Sequence, residues 1–327
     1  MVVPTLAADE TLHECLRSLA AQTLDNIEVV VVDNSGQHRV LDTAATRVIH
    51  NSTNVGFGAA INQAIRGSDA PFIATLNDDA VAHPRWLECL LEAVEQRYEI
   101  GMGASQVRLA GRADSAGLDS AGMLLCPDGS SKQRGHFESA AKYARKQEVL
   151  LPSASAALYR RDMLDEIGLF DESFFLYCED TDLGLRARWA GWECVYVPEA
   201  VVDHKYSHSA GQASRLKAYY VERNRLFTVA KNFPAATLLC SPVHTCLRYF
   251  WHAAFALQGR GKAAQFGREG NHMGRLPLYV LRAHWELVRN LPRLWKQRRA
   301  TKRRLSSRQF NRLLRQYSIG TRQVAAL

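Results

Sequence analysis

The sequence lacks the cysteine patterns that mark disulfide-stapled or zinc-binding proteins. Its cysteines are odd in number, scattered, and form no C-x-x-C pair; they are Cys15, Cys89, Cys126, Cys178, Cys194, Cys240 and Cys246. Disulfide frameworks and zinc knuckles both need paired, regularly spaced cysteines, so the sequence predicts neither. Unpaired thiols of this kind indicate a reducing cytoplasm.

Long apolar segments are also missing. The chain opens without a charged segment followed by an apolar one, so no signal peptide is predicted. No apolar run reaches the roughly 18 residues that a spanning helix needs. We therefore expect a cytoplasmic protein that lies peripherally on the inner face of the cell membrane.

Acidic residues are absent from the end of the chain. Residues 287–327 contain 12 Lys or Arg residues and no Asp or Glu, so the formal net charge of +8 conceals a charge of −4 on residues 1–286. A nucleic-acid enzyme more often spreads positive charge around its cleft, so we predict no nucleic-acid partner. A basic block beside apolar residues instead favours an anionic surface such as a membrane.

The sequence is rich in hydrophobic residues, enough to form a large core. Its 327 residues are 47% hydrophobic, which excludes a disordered chain and favours a catalytic domain with an appendage. Over the first 110 residues strand patterns such as IEVVVVDNSG and PFIATLNDDA alternate with helical ones such as GFGAAINQAIRG. This alternation predicts an α/β fold with a mostly parallel, Rossmann-like sheet flanked by helices, whose ligands gather at the carboxyl ends of the strands.

The GFGAAI stretch, residues 56–61, allows two interpretations. It approximates the dinucleotide fingerprint G-x-G-x-x-G/A, but Ile61 stands where a small residue must let the helix approach its strand. This mismatch disfavours a Rossmann dehydrogenase. The second interpretation takes GFGAAI together with its neighbours along the chain.

Three stretches, VVPTL, NVGFGAAINQAI and NDDA, together resemble the family 2 glycosyltransferases with the GT-A fold. The similarity covers roughly residues 1–210 and is closest to bacterial rhamnosyltransferase-like members. It implies a catalytic domain over residues 1–212, a basic helical region over 213–327, and a nucleoside diphosphate-sugar donor such as a dTDP- or UDP-sugar. The donor-binding residues that it implies are Pro4, Thr5, Asp33, Asn54, Gly56, Gly58, Asn62, Asn77 and Asp78.

The resemblance also implies a divalent cation, Mg²⁺ or Mn²⁺, which offsets the charge that grows on the leaving diphosphate. Asp79 matches one metal ligand, and Asn77 replaces the first acid of the family's D-x-D pattern, so Asp78 is expected to face the ribose. His204 matches a position where many members supply a further ligand, and His208 is a weaker candidate. From the residues alone, NDD could be a capped turn, and a lone histidine is more often structural.

The stretch YCEDTDLGLRARWAGW, residues 177–192, places three carboxylates within four positions. A helix beginning near Thr181 would bury Leu185, Trp189 and Trp192 on one face. Glu179 and Asp180 would then lie at the amino end of that helix, where its dipole favours ionised carboxylates.

The same stretch resembles the acidic pair that carries the catalytic base of inverting members. By position Asp180 corresponds to that base, which takes the proton of the acceptor hydroxyl in a single in-line displacement, with Glu179 beside it. The alternative is that Asp180 only caps the helix. For Asp182 we expect the structural role, an ion pair with Arg186 one turn away.

Other segments carry weaker signals. Residues 152–175 resemble the part that shapes the family's acceptor pocket, whereas residues 111–150 match no pattern and are expected to form a mobile loop over the site. Family members usually have more strand residues before the Pro-Thr pair, so we expect a short first strand or a late start.

Beyond about residue 212 the pattern becomes helical. LKAYYVERNRLFTVAKNFP resembles the family's Arg-Asn helix, and the mixture of apolar and basic residues that follows suits a membrane interface. Ordinary helices with a solvated basic face, or a homo-oligomer contact, are the alternatives for this region.

Together these features favour an inverting, metal-dependent glycosyltransferase of cell-envelope polysaccharide synthesis that moves a deoxyhexose such as rhamnose onto a glycan or lipid-linked glycan. The rival hypothesis is a catalytically silent protein that binds a sugar nucleotide or a polyanion.

Overall fold

A ten-stranded sheet organises the first two thirds of the chain. The computed structural model describes residues 1–41, 46–110, 117–205, 214–270 and 272–326. The strands are β1 (Val2–Thr5), β2 (Val30–Asp33), β3 (Arg47–His50), β4 (Phe72–Leu76), β5 (Ala80–Ala82), β6 (Ile100–Leu109), β7 (Leu118–Ser120), β8 (Met123–Leu125), β9 (Ser131–Gln133), β10 (Gln147–Val149), β11 (Ala156–Arg160) and β12 (Glu193–His204). Strands β8 and β9 form a separate two-stranded sheet.

Helices flank this sheet and make up the last third of the described chain. They are α1 (Glu10–Ala20), α2 (Phe57–Arg66), α3 (Trp86–Glu95), α4 (Arg161–Ile167), α5 (Glu179–Trp189), α6 (Arg215–Asn232), α7 (Ala235–Leu257), α8 (Gly261–Arg268), α9 (Leu276–Ala300), α10 (Ser307–Gln316) and α11 (Thr321–Ala326). Three short 3-10 turns lie at Ala140–Tyr143, Glu172–Phe174 and Met273–Arg275.

The main sheet has the strand order β10-β12-β6-β11-β4-β1-β2-β3, with β5 added beside β12 and β7 beside β6. Strands β1, β2, β3 and β4 are parallel neighbours, as the alternation of strands and helices predicted. Because β11 is antiparallel to both β4 and β6, and β12 is parallel to β6, six of the eight strands in that order run one way. The predicted α/β fold is confirmed.

Local sequence explains why these elements form. The Asp9 side chain accepts hydrogen bonds from the backbone N–H groups of Thr11 and Leu12 at 3.0 and 3.3 Å and so caps α1. The apolar residues of α1 lie on its buried face, and all four residues of β2 are buried between helices. The register pairs Thr5 with Asp33, and Asp33 with His50, so three strands end level at one edge.

The expected mobile loop at 111–150 is wrong for residues 117–150. This segment contributes β7 through β10, with β7 on β6 and β10 on β12, and Leu118 is completely buried. The glycines that favoured a loop instead form tight turns: Gly129 has φ +89°, and a Cβ there would lie 2.3 Å from a methyl of Val229. Residues 111–116 lie outside the described part of the chain.

The helix that follows the acidic pair begins at Glu179, two residues earlier than expected. The chain enters α5 through Cys178, whose φ is +65°. Trp192 lies beyond the end of α5 but is buried. The predicted ion pair between Asp182 and Arg186 is confirmed, with an N–O distance of 2.9 Å.

The C-terminal helices share the core of the sheet domain. The indole of Trp189 stacks on the ring of Phe310 at 3.9 Å with an interplanar angle of 6°, and its N–H donates to the carbonyl of Asn232 at 2.7 Å. The ammonium of Lys231 lies 2.9 Å from Asp182 Oδ1 and 2.6 Å from Asp171 Oδ2. A domain boundary near residue 212 stays a prediction. Within the described ranges, no helix is both long and apolar enough to cross a membrane.

We expect Phe310→Ala to lower the free energy of unfolding by about 3–5 kcal/mol, because a buried aromatic side chain is lost from the face of Trp189. Urea denaturation followed by circular dichroism measures this loss. Arg308→Ala, an exposed change on the same helix, is the control. Equal stability of the two variants would show that α10 contributes nothing to the core.

Candidate active site

A short antiparallel pairing brings the predicted metal ligands together. Strand β5 runs against the end of β12, so that Ala80 faces His204. Asp79, one residue before β5, therefore reaches the imidazole: its Oδ1 lies 3.0 Å from His204 Nε2. Both side chains are buried.

Two residues that the sequence patterns did not indicate hold this pair. His204 Nδ1 lies 2.9 Å from Asp119 Oδ2, and His136 Nδ1 lies 3.2 Å from Asp119 Oδ1. Burial opposes the charged form of Asp119, but hydrogen bonds from His136 and His204 lower its pKa to about 2. Burial also opposes the charged form of His204, but its hydrogen bonds to Asp119 and Asp79 raise its pKa to about 10. Asp119 thus fixes the ring so that Nε2 points to Asp79.

The residues present fit a cation only in part. No group of three or more His, Cys, Asp or Glu side chains is placed to hold a metal ion anywhere in the described ranges. Asp79 and His204 offer one oxygen and one nitrogen, a donor set that suits Mn²⁺ and is less typical of Mg²⁺. A cation here would need further oxygens from a bound molecule.

Asp78 joins the end of β1 to this group. Its Oδ2 accepts a hydrogen bond from the Thr5 hydroxyl at 2.6 Å. Burial raises the pKa of Asp78 to about 6, and the charge of Asp79 adds to the rise. Asn77 lies on the other side, with its amide nitrogen 3.4 Å from His204 Nε2. The NDD residues predicted from the sequence therefore form one contiguous polar cluster with His204.

The neighbouring strand end carries the predicted nucleoside-binding residue. The Asp33 carboxylate accepts from the backbone N–H groups of Ser35 and Val40 at 2.9 and 3.1 Å. Burial works against ionisation, but hydrogen bonds from Ser35 and from backbone amides hold the pKa of Asp33 at about 2. His50 lies 3.5 Å from Asp33 and stacks on His38 at 4.6 Å, an imidazole pair that the sequence did not suggest. Pro4, at the adjacent strand end, is half-buried.

The glycines before α2 allow a close backbone contact. Asn54 Oδ1 accepts from the Gly56 N–H at 2.9 Å, and Gly56 has φ +89°. A Cβ at Gly56 would lie 2.4 Å from the carbonyl oxygen of Phe175, and one at Gly58 would lie 3.0 Å from the Phe170 side chain. These glycines therefore let α2 touch the segment that leads to the acidic pair.

Asn62 makes a similar connection. Its Nδ2 donates to the Phe170 carbonyl at 2.8 Å and to Glu172 Oε1 at 3.0 Å, and its Oδ1 accepts from the Phe170 N–H at 3.1 Å. Contacts of Asn62, Gly56 and Gly58 with the nucleotide-sugar stay predictions. In the structure, Asn62 binds segment 170–175 to α2, and the two glycines leave room for this close approach.

The acidic pair lies beside the NDD cluster. Asp180 is half-buried, and its carboxylate accepts from the Thr181 N–H at 2.6 Å and the Ala154 N–H at 3.3 Å. One residue after Ala154, the Ser155 carbonyl accepts from the Asn77 N–H at 2.9 Å. Ala154 and Ser155 thus link Asp180 to the NDD cluster.

Glu179 differs from Asp180 in its surroundings. It is buried, and its Oε2 has no hydrogen-bond partner in the described part of the chain. Burial raises the pKa of both carboxyls, and the charge of Asp180 raises that of Glu179 further. Of these two residues, only Asp180 combines a carboxylate fixed by hydrogen bonds with partial exposure.

Helix α6 donates hydrogen bonds to the segment that precedes Glu179 and Asp180. Arg223 donates to the carbonyls of Ser173 and Phe174, both at 2.8 Å. Asn224 Nδ2 lies 2.7–2.8 Å from the carbonyls of Phe174, Leu176 and Tyr177. Phe175, Tyr177 and Cys178 all have positive φ, a costly conformation for residues with side chains. The Arg-Asn pair thus stabilises the strained turn that leads to Glu179.

Comparison with known proteins identifies the family of this chain. The family model described as "Glycosyl transferase family 2" matches residues 1–168. The "N-acetylglucosaminyl-diphospho-decaprenol L-rhamnosyltransferase" of Mycobacterium tuberculosis (strain ATCC 25618 / H37Rv) is 30% identical over 250 residues, which are 67% of this chain and 80% of that protein. The amylovoran biosynthesis glycosyltransferase AmsE of Erwinia amylovora is 23% identical over 202 residues, covering 59% of this chain and 70% of the relative.

A solved structure shows the same fold. The crystal structure of GalNAc-T7 with UDP, GalNAc and Mn²⁺ superposes with a TM-score of 0.55 at 14% identity, over 70% of this chain and 47% of that one. At this identity the likeness concerns the fold alone. The family model matches more than half of the chain, and the mycobacterial relative matches two thirds of it. The chain therefore belongs to glycosyl transferase family 2 and is a glycosyltransferase, similar to the rhamnosyltransferases of that family.

Proposed function

We propose that this glycosyltransferase is an inverting, metal-dependent enzyme that transfers a deoxyhexose such as rhamnose from a dTDP- or UDP-sugar. The acceptor is a glycan or lipid-linked glycan of cell-envelope polysaccharide synthesis. One observation carries the proposal: Asp180 accepts from the Ala154 N–H, and the next residue, Ser155, accepts from Asn77, which lies two residues before Asp79 of the Asp79–His204 pair. The mycobacterial relative, named for rhamnosyl transfer to a diphospho-decaprenol substrate, supports the choice of sugar and acceptor.

Asp79 and His204 would hold Mg²⁺ or Mn²⁺, and donor diphosphate oxygens would complete its coordination. When bound, the cation offsets the negative charge that develops on the leaving diphosphate. His204 must lose its Nε2 proton to act as a ligand, and its hydrogen bond to Asp119 keeps the ring oriented for this. The structural neighbour that contains UDP and Mn²⁺ supports a divalent cation in this fold.

Asp180 would act as the general base. Its backbone hydrogen bonds to Thr181 and Ala154 fix the carboxylate, and its partial exposure leaves room for an acceptor hydroxyl. Burial raises its pKa, which strengthens it as a proton acceptor. The buried Glu179 beside it, whose pKa is raised by burial and by the charge of Asp180, would hold its proton and leave Asp180 as the ionised carboxylate of the pair.

The enzyme would work peripherally on the cytoplasmic face of the membrane, where a lipid-linked acceptor is embedded. The basic residues of 287–327 support this location because anionic headgroups attract them. The rival hypothesis of a silent binding protein loses support, since Asp79, Asp180 and His204, which a degenerate member would be free to lose, are all present.

Asp180→Asn is expected to lower kcat at least about a hundredfold while leaving donor affinity nearly unchanged, because only proton removal is lost. Steady-state kinetics with a panel of nucleotide-sugars and calorimetry of donor binding measure the two quantities separately. Asp165→Asn, an exposed change on α4, is the control. Near-normal turnover in Asp180→Asn would exclude this residue as the base.

Asp79→Ala is expected to abolish the gain in nucleoside diphosphate affinity that Mg²⁺ or Mn²⁺ provides, without unfolding the protein. Titration calorimetry with the cation and with chelator tests it, and Asp203→Ala, beside the second ligand, is the matched control. An unchanged metal effect in Asp79→Ala would place the ligand elsewhere. Equal affinity of the wild-type protein in chelator would remove the metal from the site.

Asn224→Ala is expected to lower kcat roughly ten- to hundredfold with little change in donor KM, because the carbonyls before Glu179 lose their donor and the acidic pair shifts. Thr228→Ala, the matched control, changes a buried side chain one turn further along the same helix, whose hydroxyl has no hydrogen-bond partner in the described part of the chain. Kinetics well below the melting temperature of each variant separate positioning from stability. An equal loss of kcat in both variants would contradict the positioning role.

A further inference from the structure

Helix α9 presents an apolar stripe to solvent. Large apolar side chains recur three and four residues apart and are about two-fifths to two-thirds exposed: Leu278 (61%), Leu281 (66%), Trp285 (61%), Val288 (56%), Leu291 (43%) and Trp295 (47%). This spacing places them on one face of the helix. The opposite face, with Ala283, Leu294 and Arg298, is buried, and Arg298 donates to the Ala230 carbonyl of α6.

Basic residues follow this stripe at a regular interval. The pairs Leu281-Arg282, Val288-Arg289 and Trp295-Lys296 repeat every seven residues, and all six side chains are exposed. Glu286 is the only acidic residue of α9. One edge of the stripe is therefore a row of positive charge.

We propose that this face of α9, from Leu278 to Trp295 with its row Arg282, Arg289 and Lys296, lies in the headgroup region of an anionic bilayer. The apolar stripe contacts the acyl boundary, the indoles of Trp285 and Trp295 lie at headgroup level, and the basic row contacts lipid phosphates. The inference rests on the proposed work at a membrane and names the surface that performs it.

Charge favours a bilayer over a second copy of the chain. Alternating three- and four-residue spacing also occurs in helix–helix seams, but this stripe is short and contains two indoles and Pro292. Pairing two copies would bring two basic rows together with one acidic residue per helix to balance them. Anionic lipid supplies the opposite charge.

The test uses the full-length protein, because residues 287–327 include the buried Leu294 and Phe310 and cannot be removed cleanly. Co-sedimentation compares vesicles of phosphatidylcholine alone with vesicles containing 30% phosphatidylglycerol, at low and high salt. We expect binding only to the anionic vesicles, reduced by salt. Leu281→Glu with Val288→Glu should weaken binding at least about tenfold, whereas Leu41→Glu, at another exposed leucine, should not.

Arg289→Gln with Lys296→Gln should weaken binding about fivefold for each charge removed. Lipids brominated near the headgroup should quench wild-type tryptophan fluorescence. Trp285→Phe with Trp295→Phe should lose most of this quenching, since Trp86, Trp189 and Trp192 are buried and Trp251 is half-buried on α7. Circular dichroism confirms folding of each variant.

Equal vesicle binding by the Leu281/Val288 variant and the Leu41 control would overturn the proposal. So would a dimer, seen by sedimentation velocity without lipid, that the Leu281/Val288 changes dissociate. Turnover on a soluble acceptor analogue should be the same in the wild type and the Leu281/Val288 variant. Vesicle binding without any glycosyl transfer would instead refute the proposed function and leave the surface standing.

Discussion

The position of the acidic pair depends on one buried carboxylate, Asp182. Its Oδ2 forms an ion pair with Arg186 at 2.9 Å. Its Oδ1 forms an ion pair with the Lys231 ammonium at 2.9 Å and accepts a hydrogen bond from the Asn232 amide at 2.8 Å. Burial alone would raise its pKa, but the charges of Lys231 and Arg186 lower it, so Asp182 stays ionised in the core. Because removing one partner of a buried pair leaves an uncompensated charge, α5 is held firmly to the end of α6. The helix that begins with Glu179 and Asp180 therefore cannot shift independently.

Electrostatics divide the site into two halves. At the Asp79 half, His204 lies between the carboxylates of Asp79 and Asp119, each within 3.0 Å of one of its ring nitrogens. At the Asp180 half, two carboxylates lie together with raised pKa values, and among the residues that the structure describes no basic side chain is bonded to either. A site with this division can hold positive charge against a leaving group on one side while accepting a proton on the other.

The sequence was sufficient for those parts of the fold and site that follow from local periodicity. Strand ends in a parallel sheet meet at one edge, so the neighbourhood of Thr5, Asp33 and Asp79 could be predicted, as could the pair Asp182–Arg186 one helical turn apart. Partners that lie far apart in the chain could not. Asp119 sits in a stretch whose glycines and serines indicated a loop, and the role of Asn224 appears only when α6 lies across the turn it grips. The likeness to known relatives supplied the rest of the site hypothesis, since spacing alone does not distinguish a metal ligand from a helix cap.

The stack of Trp189 on Phe310 limits how relatives of this chain can diverge. A substitution in α10 acts directly on the last turn of α5. The C-terminal region, although more than a hundred residues away in sequence, is therefore subject to the same selection as the helix that begins with Glu179 and Asp180. The exposed residues of α9 are free of that constraint. Over evolution, Phe310 and Arg298 should persist while the outward side chains of α9 change with the surface on which each enzyme works.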